Sequence, residues 1–133
     1  MEPISYTVKL DPRTKKNHQM IAGRGPKCPT CHRYLSLFVK QGKAYDSYAH
    51  DASWFLRPIP DTPVDIPVNV RYLFYMATRR IVDSNGLIQA MDDILVSRGI
   101  LKDDNSRIVV SHDGTRVLYD KENPRTEILI TPV

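Results

Sequence analysis

Three aspartates carry the first chemical possibility in this chain. Asp83 closes the run Arg79-Arg80-Ile81-Val82, and Asp103 and Asp104 stand side by side further along. Hard divalent cations such as Mg²⁺ take a few carboxylate oxygens from a protein and keep waters for a substrate phosphate. An ion held in that way activates water and neutralises charge on a phosphodiester. The same residues also read as a helix N-cap and an acidic surface turn, and residue type leaves both readings open. A second possibility is Cys28-Pro29-Thr30-Cys31-His32, which has the Cys-x-x-Cys spacing of half a zinc site. Structural Zn²⁺ takes four ligands, so His32, His18, His50 or the same turn of a partner subunit would have to complete it. An unliganded thiol pair at a loop tip is the other reading. The pattern also spells a haem c attachment motif, but Met-Glu-Pro-Ile at the N-terminus has none of the basic and apolar regions of a secretory signal.

Charge is divided unevenly. Residues 1–50 carry nine Lys or Arg against three acids, a balance of +6, whereas residues 51–133 carry ten against twelve, a balance of −2. The early half suits phosphate and the later half a cation, with a solvated basic face as the plainer account of the former. Lys15, Lys16, Arg24 and Lys27 are the candidate DNA contacts of that half, joined by Arg79 and Arg80 beside the acids, where they could clamp a phosphate. No stretch approaches the roughly 18 apolar residues of a membrane helix, and the two cysteines lie too close for an ordinary structural disulfide. A cytoplasmic protein with no membrane partner is expected.

Elements of ordinary length would position these groups. The 133 residues, 41% hydrophobic and 26% charged, suit a single domain over 1–133. Tyr6, Val8 and Leu10 alternate in a strand over Ser5 to Leu10. Met20 to Ala22 and Leu35 to Val39 form a hairpin whose tip, within 24–33, carries the cysteines. Tyr45, Tyr48, Ala49, Ala52, Phe55 and Leu56 recur at helical spacing over Lys43 to Leu56, and the proline-rich Arg57 to Pro63 is a connector. Ile66 to Met76 reads as a long central strand. A helix over Gly86 to Arg98 turns Leu87, Ile88, Met91, Ile94 and Leu95 to one side and Gln89, Asp92 and Asp93 to the other, with Gly99 ending it. The turn Asp103-Asp104-Asn105 would fold back towards Asp83, and strands follow at Arg107 to Ser111, Arg116 to Tyr119 and Thr126 to Thr131. This order predicts a mixed α/β (α+β) fold, one mixed sheet packed on two helices.

The run Arg79, Arg80, Asp83, Leu87, Asp93, Ile94, Leu95, Gly99, Leu101, Asp103, Asp104 resembles the signature of the RusA family of Holliday-junction resolvases. That signature has an Asp-x-Asp-Asn-Leu opening a helix, a Lys and an Asp along it, and an Asp-Asp pair just beyond. The match is tight over residues 66–112, and the Cys turn is no part of it. The resemblance implies a RusA-like homodimer: a Mg²⁺-dependent endonuclease that binds four-way DNA junctions in recombination and repair and nicks two strands symmetrically, often encoded by phages or prophages. Carried onto this chain, the first catalytic Asp is Asp83 and the third Asp104, with Asp103 beside it, and these three are the expected Mg²⁺ ligands. The second Asp falls on Asn85, the following Asn on Gly86, and the helix Lys, at the DNA, on Gln89. Asn85 offers an oxygen without charge. Three accounts are open: a one-residue shift, a carboxylate supplied by Asp93 or Asp92, or a junction-binding protein that cleaves weakly. A small zinc-stabilised adaptor built on Cys28 and Cys31 is a further alternative.

Overall fold

The computed structural model describes residues 1–14, 19–41 and 43–133. Its elements are β1 (Ile4–Val8), β2 (Gln19–Lys27), β3 (Tyr34–Gln41), α1 (Lys43–Ser53), β4 (Val68–Met76), α2 (Ser84–Arg98), β5 (Val109–Ser111), β6 (Arg116–Tyr119) and β7 (Arg125–Pro132). Over the described residues the fold is a mixed α+β domain with a mixed sheet and two helices.

Alternation along β4 determines which face of the main sheet is covered. Val68, Val70, Tyr72 and Phe74 are buried while Asn69, Arg71, Leu73 and Tyr75 between them stay half-exposed, because successive side chains leave a strand on opposite faces. Neighbouring β7 repeats the pattern with Thr126, Ile128 and Ile130 inside. Onto that face pack Tyr45, Tyr48 and Ala52 of α1 and Leu87, Ala90, Met91, Ile94 and Leu95 of α2. Each fully buried aliphatic or aromatic side chain contributes roughly 1.5–3 kcal/mol of transfer free energy.

The sheet order is β1-β7-β4-β5, with β6 also on β4. β7 runs antiparallel to both β1 and β4, and β5 and β6 run parallel to β4. The predicted hairpin forms, but as a two-stranded sheet of its own, β2 on β3. The strand expected from Arg107 is shorter, beginning at Val109, because Asn105 turns the chain there. Its side-chain oxygen accepts the Arg107 N–H and its carbonyl those of Ile108 and Val109.

The edge formed by β5 and β6 is interrupted, and side chains repair the break. A turn over His112–Thr115, with Gly114 at φ 86°, separates the two short strands. Opposite it, the Val70 carbonyl meets His112 Nδ1 at 2.8 Å and the Tyr72 N–H donates to Thr115 Oγ1 at 3.1 Å. Backbone groups of a buried strand must be paired, and here His112 and Thr115 replace the missing ladder. Asn69 fixes the turn from below: its Oδ1 accepts from Ser111 Oγ (2.6 Å) and Asp113 N (2.7 Å).

Candidate functional site

Asp83 occupies the N-cap of α2, extended at φ −73°, ψ 106°, and its side chain accepts from the Asn85 N–H at 3.1 Å. Gly86 sits against Thr14 at this corner. A Cβ at position 86 would lie 3.2 Å from Thr14 Cγ2 and 3.4 Å from Asp83 Oδ2, so a larger residue here needs the Thr14 side chain to give by a few tenths of an ångström. Asn85 and Gln89 are exposed on the first turns of the helix. Arg79 and Arg80 are exposed just before it, and the Arg79 guanidinium lies over the Tyr119 ring, 4.1 Å from its centroid. Lys15, Lys16 and His18 lie outside the described residues.

The second acidic point is at the other end of α2. Gly99 closes the helix in the left-handed region at φ 84°, and Val64 clamps the next residues through Val64 N to Ile100 O (2.8 Å) and Lys102 N to Val64 O (3.0 Å). Asp103 then uses both oxygens within its own turn, accepting from Asp104 N (2.7 Å) and Asn105 Nδ2 (3.1 Å). Asp104 has acidic neighbours. Desolvation and the hydrogen bond with Asp103 hold its carboxyl above the usual carboxylate range, and repulsion from Asp93 and Asp92 adds to this. Asp93 also faces α1: burial first, then Asp93 and Asp46, push the Tyr45 phenol up to about 12.

The expected union of Asp83 with Asp103 and Asp104 is not formed within one chain. Among the described residues no three His, Cys, Asp or Glu side chains gather into a group able to hold a metal ion. The reason lies in helix length. Ten residues of α-helix separate Asp83 from Asp93 by about 15 Å, and it is beside Asp93 and Asp92 that the returning turn brings Asp104. The donor set there suits Mg²⁺ bound through one or two carboxylates with waters and phosphate, not a closed cage. Asp104 and Asp93 would hold such an ion.

Asp92 itself corrects a sequence expectation. It was placed on the solvent side of α2, yet it is 7% exposed. Its Oδ1 accepts from Tyr72 Oη at 2.5 Å and its Oδ2 lies 3.2 Å from His112 Nε2. With Nδ1 against the Val70 carbonyl and Nε2 against a carboxylate, both ring nitrogens of His112 face acceptors, an arrangement that suits the imidazolium. Burial alone would lower its pKa; the Asp92 hydrogen bond and charge and the Val70 carbonyl outweigh it, and the net shift is upward. The sequence held one signal for this. Asp92 lies four residues after Ile88 and four before Val96, on the flank of the apolar stripe.

The Cys turn is well formed. Cys28 N donates to Arg33 O (2.6 Å) and His32 N to Cys28 O (2.9 Å), and His32 takes φ 60°. The Cys28 thiol is held below its ordinary pKa, first by hydrogen bonding from the backbone of Cys31 and then of Thr30. No protein-family model matches the chain, and a comparison with curated proteins finds no match either. No helix of the described residues is long and apolar enough to cross a membrane.

Proposed function

We propose that this protein is a Mg²⁺-dependent, structure-specific endonuclease of the RusA kind that acts on four-way DNA junctions as a homodimer. The observation that carries the reading is the crowding of carboxylates at Asp104. Desolvation first, then the hydrogen bond with Asp103 and repulsion from Asp93 and Asp92, raise its proton affinity, and the carboxylate share of that shift is the kind of negative charge a cation relieves. When bound, Mg²⁺ supplies charge neutralisation at a phosphodiester and an activated water. The chain's own residues do the rest. Asp104 and Asp93 present hard oxygen donors, Asp103 rigidifies the turn that carries Asp104, and at the N-terminal end of α2 Arg79 and Arg80 meet the DNA backbone beside Asp83. The basic first half supplies salt-dependent backbone attraction.

The homodimer reading has its own support. Every residue of β6 is exposed, including Val117, Leu118 and Tyr119, and Val110 of β5 beside it is exposed as well. An uncovered apolar sheet edge is a surface for a second copy, and two symmetric nicks need two symmetric sites.

Cleavage of a labelled four-way junction, beside linear duplex of the same sequence and with or without Mg²⁺, tests the proposal. Paired nicks confined to the junction are expected, dependent on Mg²⁺ and reduced about 10²-fold or more in Asp104→Asn and in Asp83→Asn. Binding of the junction with no cut in any metal would favour the second reading, a junction-binding protein. The uncharged Asn85 and Gln89 at the positions of an acid and a Lys support that alternative. Equal affinity for junction and duplex would remove both.

A further inference from the structure

The two thiols at the tip of the β2–β3 hairpin have the spacing of a metal-binding half-site, and among the described residues no third ligand completes it. Their turn is ordered: the chain is closed behind the two thiols by the Cys28–Arg33 and His32–Cys28 backbone bonds. Cys31 is exposed and Cys28 half-buried, so the pair is open to solvent. No third His, Cys, Asp or Glu joins them among the described residues, which sets aside His32 although it shares the turn. His18, the other candidate from the first half, lies outside the described residues.

Thiolate donors select zinc among the common divalent ions, and a structural zinc site takes four ligands in tetrahedral geometry. A second copy of the same exposed turn supplies the missing two. Lys27 and Arg33 flank each half-site in sequence, and their positive charge offsets the double negative charge of a zinc ion bound to four thiolates. We propose that Cys28 and Cys31 of two copies of this chain jointly bind one Zn²⁺, joining the hairpin tips. This site involves neither the acidic residues nor the β6 edge, and it does not depend on the nuclease reading.

The test uses the full-length protein purified without chelator under reducing conditions. Metal analysis should find one zinc per two chains, and replacement by Co²⁺ should give a sulfur-to-cobalt charge-transfer band with the intensity of four thiolates. Cys28→Ser and Cys31→Ser should each abolish stoichiometric zinc while leaving the circular dichroism spectrum unchanged, since the turn is exposed. One zinc per chain with a two-thiolate cobalt spectrum would place the remaining ligands within one chain and overturn the bridge. Absence of zinc and of a cobalt band in the reduced protein would overturn the site altogether.

Discussion

Asp92 and Asp104 are both carboxylates crowded by neighbours, and they are expected to behave oppositely on substitution. Asp92 is buried with two donors, so removing one leaves a charge without its partner. His112→Gln should cost about 2–3 kcal/mol of stability in urea unfolding at pH 6. Because the folded His112 has a raised pKa, its contribution is fully present below about pH 6.5, the unfolded value, and is lost as pH rises through the folded value. The stability gap between wild type and His112→Gln should therefore narrow on raising the pH, and a gap that stays constant would remove the imidazolium from the account. Asp104 is exposed and its folded pKa is also raised, so ionisation at neutral pH is opposed by the fold. Asp104→Asn should leave stability unchanged or raise it by less than about 1 kcal/mol, since solvent screens most of the repulsion. A large loss of stability would instead make Asp104 a structural residue.

Helix α2 separates the structural and chemical roles of Asp83. Its cap bond to Asn85 N is worth about 1 kcal/mol, a value that Asn retains and Ala does not. Chemical denaturation should show Asp83→Ala destabilised by about that amount and Asp83→Asn within about 0.5 kcal/mol of wild type. If Asp83 serves only as a cap, Asp83→Asn will also keep full junction cleavage, and only a loss of activity in that variant assigns it to the chemistry. The broken edge of β5 and β6 is the other element with a dual character. His112 sits where a ladder bond is missing, so its bond to Val70 and its bond to Asp92 join the sheet to α2 through one side chain.

At the scale of the whole molecule, the sheet leaves a single-sided problem. One face is covered by α1 and α2, while the β6 edge keeps Val117, Leu118 and Tyr119 exposed. In protein freed of zinc by chelator, so that no metal joins the hairpin tips, Leu118→Lys should reduce the mass measured by light scattering from two chains towards one if that edge forms the dimer, and an unchanged mass would locate the dimer elsewhere. Leu118 lies outside the hydrophobic core, so the folded spectrum should survive the change.

The sequence by itself determined the elements. The period-two pattern of Val68 to Met76, the helical spacing of Tyr45 to Ala52 and of Leu87 to Leu95, the Asp83 cap and the Gly99 stop are all local, and local sterics and burial fix them, although α1 stops at Ser53 rather than at the expected Leu56. The hairpin tip that carries the cysteines was legible for the same reason. What only the tertiary structure decided is which polar groups meet. Asp92 could not be recognised as buried, because its partners Tyr72 and His112 lie 20 residues away in either direction and come from β4 and from the turn after β5. The company of Asp104 depended on where a fifteen-residue helix delivers the turn beyond it, which placed Asp93 rather than Asp83 among the carboxylates that raise its proton affinity. Periodicity reports which side of an element is apolar; it carries no distance between side chains on different elements, and that distance is what packing supplies.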